Sequence, residues 1–191
     1  MPNKTKGAAR QQKGAEKMKK RQTQITALVH GALIAAIYAA ATYLSATFGI
    51  AYGNIQFRLS EALTILPVFT PAAIPGLTIG CILGNLSSPM GIWDILFGSA
   101  ATLLASICSR ALRKVTVKGL PVLSLLMPVI FNALIIGAEI TFLMIEGDAT
   151  FAIFAVSALE VGAGELAICL AGGIPLFYAF RKSGIFEKTS L

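Results

Sequence analysis

Charge is scarce in this chain. Of its 191 residues only 13% are Asp, Glu, Lys or Arg, about half of the ~25% usual in soluble domains. Histidine occurs once, as His30, so a His-based catalytic triad and a two-His zinc helix have no residues to build them. No phosphate-binding loop of the G-x-x-x-x-G-K-[ST] type and no G-x-S-x-G nucleophile elbow is present. Cys81, Cys108 and Cys169 lie within apolar runs at no metal-ligand spacing, and read as buried, inert thiols. No enzyme, metal site or cofactor is expected from this inventory. What is abundant is apolar: 55% of residues are hydrophobic and the mean hydropathy is +0.75. That excludes a disordered chain and an ordinary soluble domain, and leaves a small polytopic membrane protein.

The net charge of +7 does not indicate a nucleic-acid partner. A nucleic-acid binder spreads its cations along a wettable face. Here the basic residues gather in a segment before Ile25, in a loop from Arg110 to Lys118 and at the end after Phe180, with Arg58 alone elsewhere. They sit between apolar runs, which is the pattern of membrane topology.

Residues 1–24 are polar and basic and are expected to be a disordered tail. Met18, followed by Lys19, Lys20 and Arg21, looks like a natural start, with the earlier residues an extension. The apolar run from Ile25 to Ala46 is longer than the ~7–15 residues of a signal-peptide core, and reads as an uncleaved first helix. It carries two rows of small residues, Ala27-Gly31-Ala35-Ala39 and Ala32-Ala36-Ala40. Such rows serve either a partner helix or packing within the protein. Leu59 to Leu86 is apolar but broken by Pro67, Pro71, Pro75 and Gly76. A single helix there would be ~42 Å long, too long for a ~30 Å hydrocarbon core. Two short helices or a hairpin entering from one side are the alternatives. Further spans are expected over Ile92–Ser109, Leu120–Ile145 and Phe151–Tyr178, the last bent by Gly162, Gly164, Gly172, Gly173 and Pro175. The reading is an all-α protein with six membrane segments over residues 25–182 and a short tail, 183–191. Six segments place all three basic clusters on one side, so both termini are expected in the cytoplasm.

Several polar side chains interrupt the spans. An ionisable group there costs roughly 2.5–3.5 kcal/mol, so each is a functional candidate, with structural pairing as the alternative. Glu61, Asp94, Glu139, Glu160 and Glu165, with Asn85 and Asn132, form this set. Most fall in the outer half: Glu139 ~9 Å and Glu160 ~14 Å below their helix ends, by the helical rise. Asn132 and Glu139 share a helix face two turns apart. Glu160 and Glu165 point ~140° apart, which makes Glu160 a ligand candidate and Glu165 a packing or coupling residue. With Arg58 the lone nearby cation, the acids favour a guest that brings donors or positive charge, unless some carry a proton. A carboxylate accepts two parallel N–H bonds, and a guanine-like ring offers that pair on one edge. Phe57, Trp93 and Phe97 either stack on such a ring or, for Trp93, anchor at the membrane interface. His30 reads as a packing residue of the first span.

The run Ile55-Gln56-Phe57-Arg58-Leu59-Ser60-Glu61-Ala62-Leu63 is similar to the opening motif of the QueT family. Ile74-Pro75-Gly76, Gly84-Asn85-Leu86, Trp93 through Ser99, Asn132-Ala133-Leu134 with Glu139, and Glu160 through Glu165 extend the resemblance over about 25–182. That family comprises substrate-binding S components of energy-coupling factor (ECF) transporters, in bacterial cell membranes. The resemblance implies a six-helix S-component fold. It implies a complex with a T transmembrane subunit and two cytoplasmic ATPases, and uptake of the queuosine precursor 7-aminomethyl-7-deazaguanine. It also implies that Ala32 and Ala36, with Ala40 extending the row, dock the T subunit. Gln56, Arg58, Glu61, Asn85, Asp94, Asn132, Glu139 and Glu160 are the expected substrate-binding residues. The rim from Phe48 to Arg58 and the loop from Glu146 to Thr150 are expected to close over the pocket. The competing readings are an S component for another vitamin, such as a flavin or thiamine, and an ion-coupled solitary carrier.

Overall fold

The structure, a computed structural model, describes residues 3–52, 55–145 and 149–185, with side chains from residue 12 onward. Among these residues every regular element is helical, and β structure is limited to an isolated bridge between Val117 and Leu120. The elements are α1 (Asn3–Thr47), a 3-10 helix (Leu59–Val68), α2 (Ala73–Asn85), α3 (Ile92–Leu112), α4 (Val122–Glu139), α5 (Phe151–Ile168) and α6 (Ile174–Ser183). A π turn over Ile140–Met144 prolongs α4, and another over Cys169–Gly173 joins α5 to α6. Four helical stretches are long and apolar enough to cross a membrane: Gln12–Thr47, Ile92–Leu112, Val122–Met144 and Phe151–Ser183.

The start of α1 departs from the sequence expectation. The basic segment was expected to lack structure, yet α1 runs unbroken from Asn3. Residues 12–25 are exposed along that stretch. Their composition denies them a core, and the helix there rests on its own backbone bonds and on local contacts such as Thr23 Oγ1 donating to Lys19 O at 3.1 Å. Residues 1–2 and 186–191, parts of the two expected tails, lie outside the described residues.

The Pro-rich stretch resolves into two short helices, the 3-10 helix and α2. Pro67 sits near the end of the first and Pro71 in the turn between them. Pro75 falls in the first turn of α2, where a missing N–H costs no helical bond. The 3-10 helix runs through the middle of the bundle with Ser60, Glu61, Thr64, Ile65 and Leu66 buried. In the last span the bend falls at Gly172 and Gly173, two of the expected positions, and not at Gly162 or Gly164. α5 passes Gly162 and Gly164 without a break, and the irregular turn comes later, at Cys169–Gly173. Pro175 follows directly; it has no N–H for the Ala171 carbonyl, and the turn widens there.

α1 and α2 pack backbone to backbone. A Cβ on Gly76 would lie 2.7 Å from Gly31 O, and one on Gly80 would lie 2.7 Å from Tyr38 Cβ and 2.9 Å from Ala35 O. Gly31 and Ala35, from one small-residue row, therefore serve internal packing. Ala32, Ala36 and Ala40, from the other, stay exposed.

The alternation of helices gives the bundle two unlike ends. Arg110 donates to Pro67 O at 3.0 Å, and Arg181 donates to Gly119 O at 3.0 Å, so the two later basic clusters meet at one end. The opposite end collects the C-terminus of α1, the start of the 3-10 helix, the ends of α2 and α4 and the start of α3. The buried Arg58, Asn85, Asp94 and Glu139 gather at that second end.

Candidate functional site

Arg58 organises the site. It precedes the 3-10 helix with extended backbone, which turns its side chain inward, and it is 6% exposed. Its Nε donates to Ala51 O at 2.9 Å and one terminal nitrogen donates to Asn85 Oδ1 at 3.0 Å. The other terminal nitrogen stands 3.7 Å from Asp94 Oδ2. The guanidinium also lies 5.1 Å from the Tyr52 ring centroid, within cation–π range. One side chain thus ties the strap before the 3-10 helix to both α2 and α3.

Asn85 ends α2 and is fully buried. Its amide nitrogen donates to Asp94 O at 2.8 Å. Gly98 leaves room for it, since a Cβ there would lie 2.5 Å from Asn85 Nδ2. Asp94, in the first turn of α3, also accepts from the Ser88 hydroxyl. The acid is therefore held on both sides.

Next to this network is a cavity of about 150 Å³. Tyr52 and Gln56 of the strap, Pro89 and Met90, and Asp94 of α3 form one side. Ile136, Glu139, Ile140 and Met144 form the other. Glu139 closes α4 and is 3% exposed. Neither of its carboxylate oxygens accepts a hydrogen bond from a described residue, and the Asp94 carboxyl is its close neighbour. Buried polar groups are nearly always paired, so an orphaned carboxylate on a cavity wall calls for an explanation.

A second polar cluster lies apart from the cavity wall. The Tyr38 hydroxyl donates to Glu61, Thr64 Oγ1 donates to Glu61 O at 2.5 Å, and Glu165 faces Glu61 from α5. Cys169 Sγ donates to Glu165 Oε1 at 3.7 Å. Here the 3-10 helix meets the π turn, with Gly172 close against Ala62.

Of the residues singled out in the sequence, Gln56, Asp94 and Glu139 line the cavity, and Arg58 and Asn85 stand immediately behind it. Glu61 belongs to the second cluster. Asn132 is buried on α4 but does not reach the cavity wall. Glu160 is partly exposed and is not on that wall, whereas Glu165, expected to pack or couple, is buried against Glu61. Trp93 is half exposed and stacks on Phe97 at 6.1 Å, away from the cavity. Tyr52, Met90, Ile136, Ile140 and Met144 were not foreseen. Ile136 stands three before Glu139, so helical spacing from that acid could have found it, and Ile140 lies four beyond Ile136. Gly53 and Asn54 of the rim, and 146–148 of the second expected covering loop, lie outside the described residues.

Residues 28–182 match the family described as QueT transporter. The chain is 37% identical over 73 residues to the queuosine precursor transporter QueT of Lactococcus lactis subsp. cremoris (strain MG1363), a match covering 38% of this chain and 43% of that relative. No solved structure matches.

Proposed function

The chain belongs to the QueT transporter family, and from that premise we propose that it is the S component of an ECF importer which loads 7-aminomethyl-7-deazaguanine from outside the cell. The observation that carries the reading is Glu139: a buried carboxylate with no hydrogen-bond donor among the described residues, set in the wall of a cavity. A carboxylate so placed suits a ligand that supplies N–H groups. A cavity near 150 Å³ is comparable to one that accepts a single benzene ring. A two-ring base is larger than that, so loading it requires the cavity walls to give.

In this reading the protein crosses the membrane with six segments. The two short central helices pair to return the chain to one side, and the basic ends face the cytoplasm. The acid-rich end then faces outward, with the strap that carries Gln56 as its cover. Ala32, Ala36 and Ala40 stand exposed on α1. The first two line an apolar groove with Pro75 and Ile79, which suits close approach by a helix of the T subunit. ATP hydrolysis belongs to two cytoplasmic partner subunits, and the resulting change of posture carries the guest inward.

Reconstitution tests this assignment. Liposomes that hold this chain alone are expected to take up none of the deazaguanine, with or without a proton or sodium gradient. Adding the T subunit, both ATPases and internal ATP is expected to start uptake. Gradient-driven uptake by the chain alone would establish the solitary carrier instead.

A further inference from the structure

We propose that Glu139 selects the guest by charge: the cavity admits the deazaguanine through its cationic aminomethyl group and refuses a ring of the same shape whose substituent is neutral. The inference rests on the deazaguanine reading above and deepens it.

The two acids on the cavity wall are in unlike situations. Asp94 is answered by its own surroundings, with the Arg58 guanidinium at 3.7 Å and the Ser88 hydroxyl bonded to it. Arg58 is turned toward Asp94: its remaining terminal nitrogen makes no hydrogen bond and stands 3.7 Å from that acid, and Nε and the other terminal nitrogen bond Ala51 O and Asn85 Oδ1. Glu139 has neither a donor nor a cation of its own among the described residues. The cavity wall and its backing thus set two acids against one cation. A buried carboxylate without a counter-charge is costly, and a ligand that brings the missing charge removes that cost.

The form of the counter-charge follows from the walls. Around Glu139 the cavity surface is apolar, made by Ile136, Ile140 and Met144. A compact ammonium, with three donors, satisfies the carboxylate at this one corner, while a flat ring lies against the aliphatic side chains. A neutral ring edge offers donors as well, but it leaves the negative charge in place. The buried Glu61–Glu165 cluster does not compete for the amine, because neither residue lines the cavity.

The test compares two probes on the purified full chain: 7-aminomethyl-7-deazaguanine and 7-cyano-7-deazaguanine, the same ring with an uncharged nitrile. Wild-type protein is expected to prefer the amine by about 100-fold or more, the discrimination of a site whose buried group one ligand leaves unpaired. Glu139→Gln keeps the side-chain shape and removes the charge, so the preference should fall to within about threefold. That loss should come from weaker amine binding. Glu139→Asp should weaken both ligands yet keep the preference. Equal binding of amine and nitrile by the wild-type chain overturns the inference while the deazaguanine reading stands, and that comparison needs no variant. A preference that survives in Glu139→Gln overturns it too. If neither ring binds while a flavin or thiamine does, the substrate reading itself fails and takes the inference with it.

Discussion

Replacing Arg58 with Met is expected to destabilise the protein by about 3–5 kcal/mol, the cost of leaving one member of a buried pair without its partner. The substitution strips Ala51 O and Asn85 Oδ1 of their donor at once and leaves Asp94 beside no cation. Arg58→Lys should recover little of the loss. A lysine presents a point charge on a flexible stem and cannot span three acceptors in the plane of a guanidinium. The double variant Arg58→Met with Asp94→Asn should be more stable than the single one, because no unpaired charge remains. Thermal unfolding in detergent reads all three. A single Arg58→Met variant as stable as wild type would show that the clasp between strap, α2 and α3 does not hold this end of the bundle together.

Gly164→Ala should weaken binding of the deazaguanine by about 10- to 100-fold, which matches an overpacking cost of about 1–3 kcal/mol. A glycine-to-alanine change within a helix ordinarily favours the helix by about 1 kcal/mol. At this position the added methyl would overlap Gln56 O and lie 3.1 Å from Gln56 C and 3.2 Å from Gln56 N. The contact is with backbone, so no side-chain rotation relieves it. The strap must shift, and the strap carries Gln56 into the cavity wall. Helix content by circular dichroism should stay at the wild-type value while affinity falls. Unchanged affinity would mean that the strap is not part of the binding surface.

Much of the site was legible because membrane burial makes polarity expensive. Asp94 and Glu139 stood out as acids inside apolar runs, and their helix ends placed them at a common depth. The same reasoning could not separate Glu61 from them. Its depth matches, but the side chain turns to Tyr38 and Glu165, and direction within a 3-10 helix does not follow an α-helical wheel. Glu160 and Glu165 were read from an angle on a regular helix, which told them apart without saying which one faces inward. Gly164 was expected to bend the last span, whereas it is the place where α5 meets the strap backbone. The small-residue rows were ambiguous for a different reason. Any close helix contact uses such rows, and the glycines of α2 opposite Gly31 and Ala35 decide which row is internal.

If the guest sits in the cavity beside Glu139, equilibrium binding to the purified chain will show it. Saturable binding of 7-aminomethyl-7-deazaguanine at about one site per chain is expected, with no competition from flavin or thiamine and a large loss of affinity in a folded Glu139→Gln variant. Wild-type affinity in that variant, or saturable binding of a flavin or thiamine in place of the deazaguanine, would contradict it.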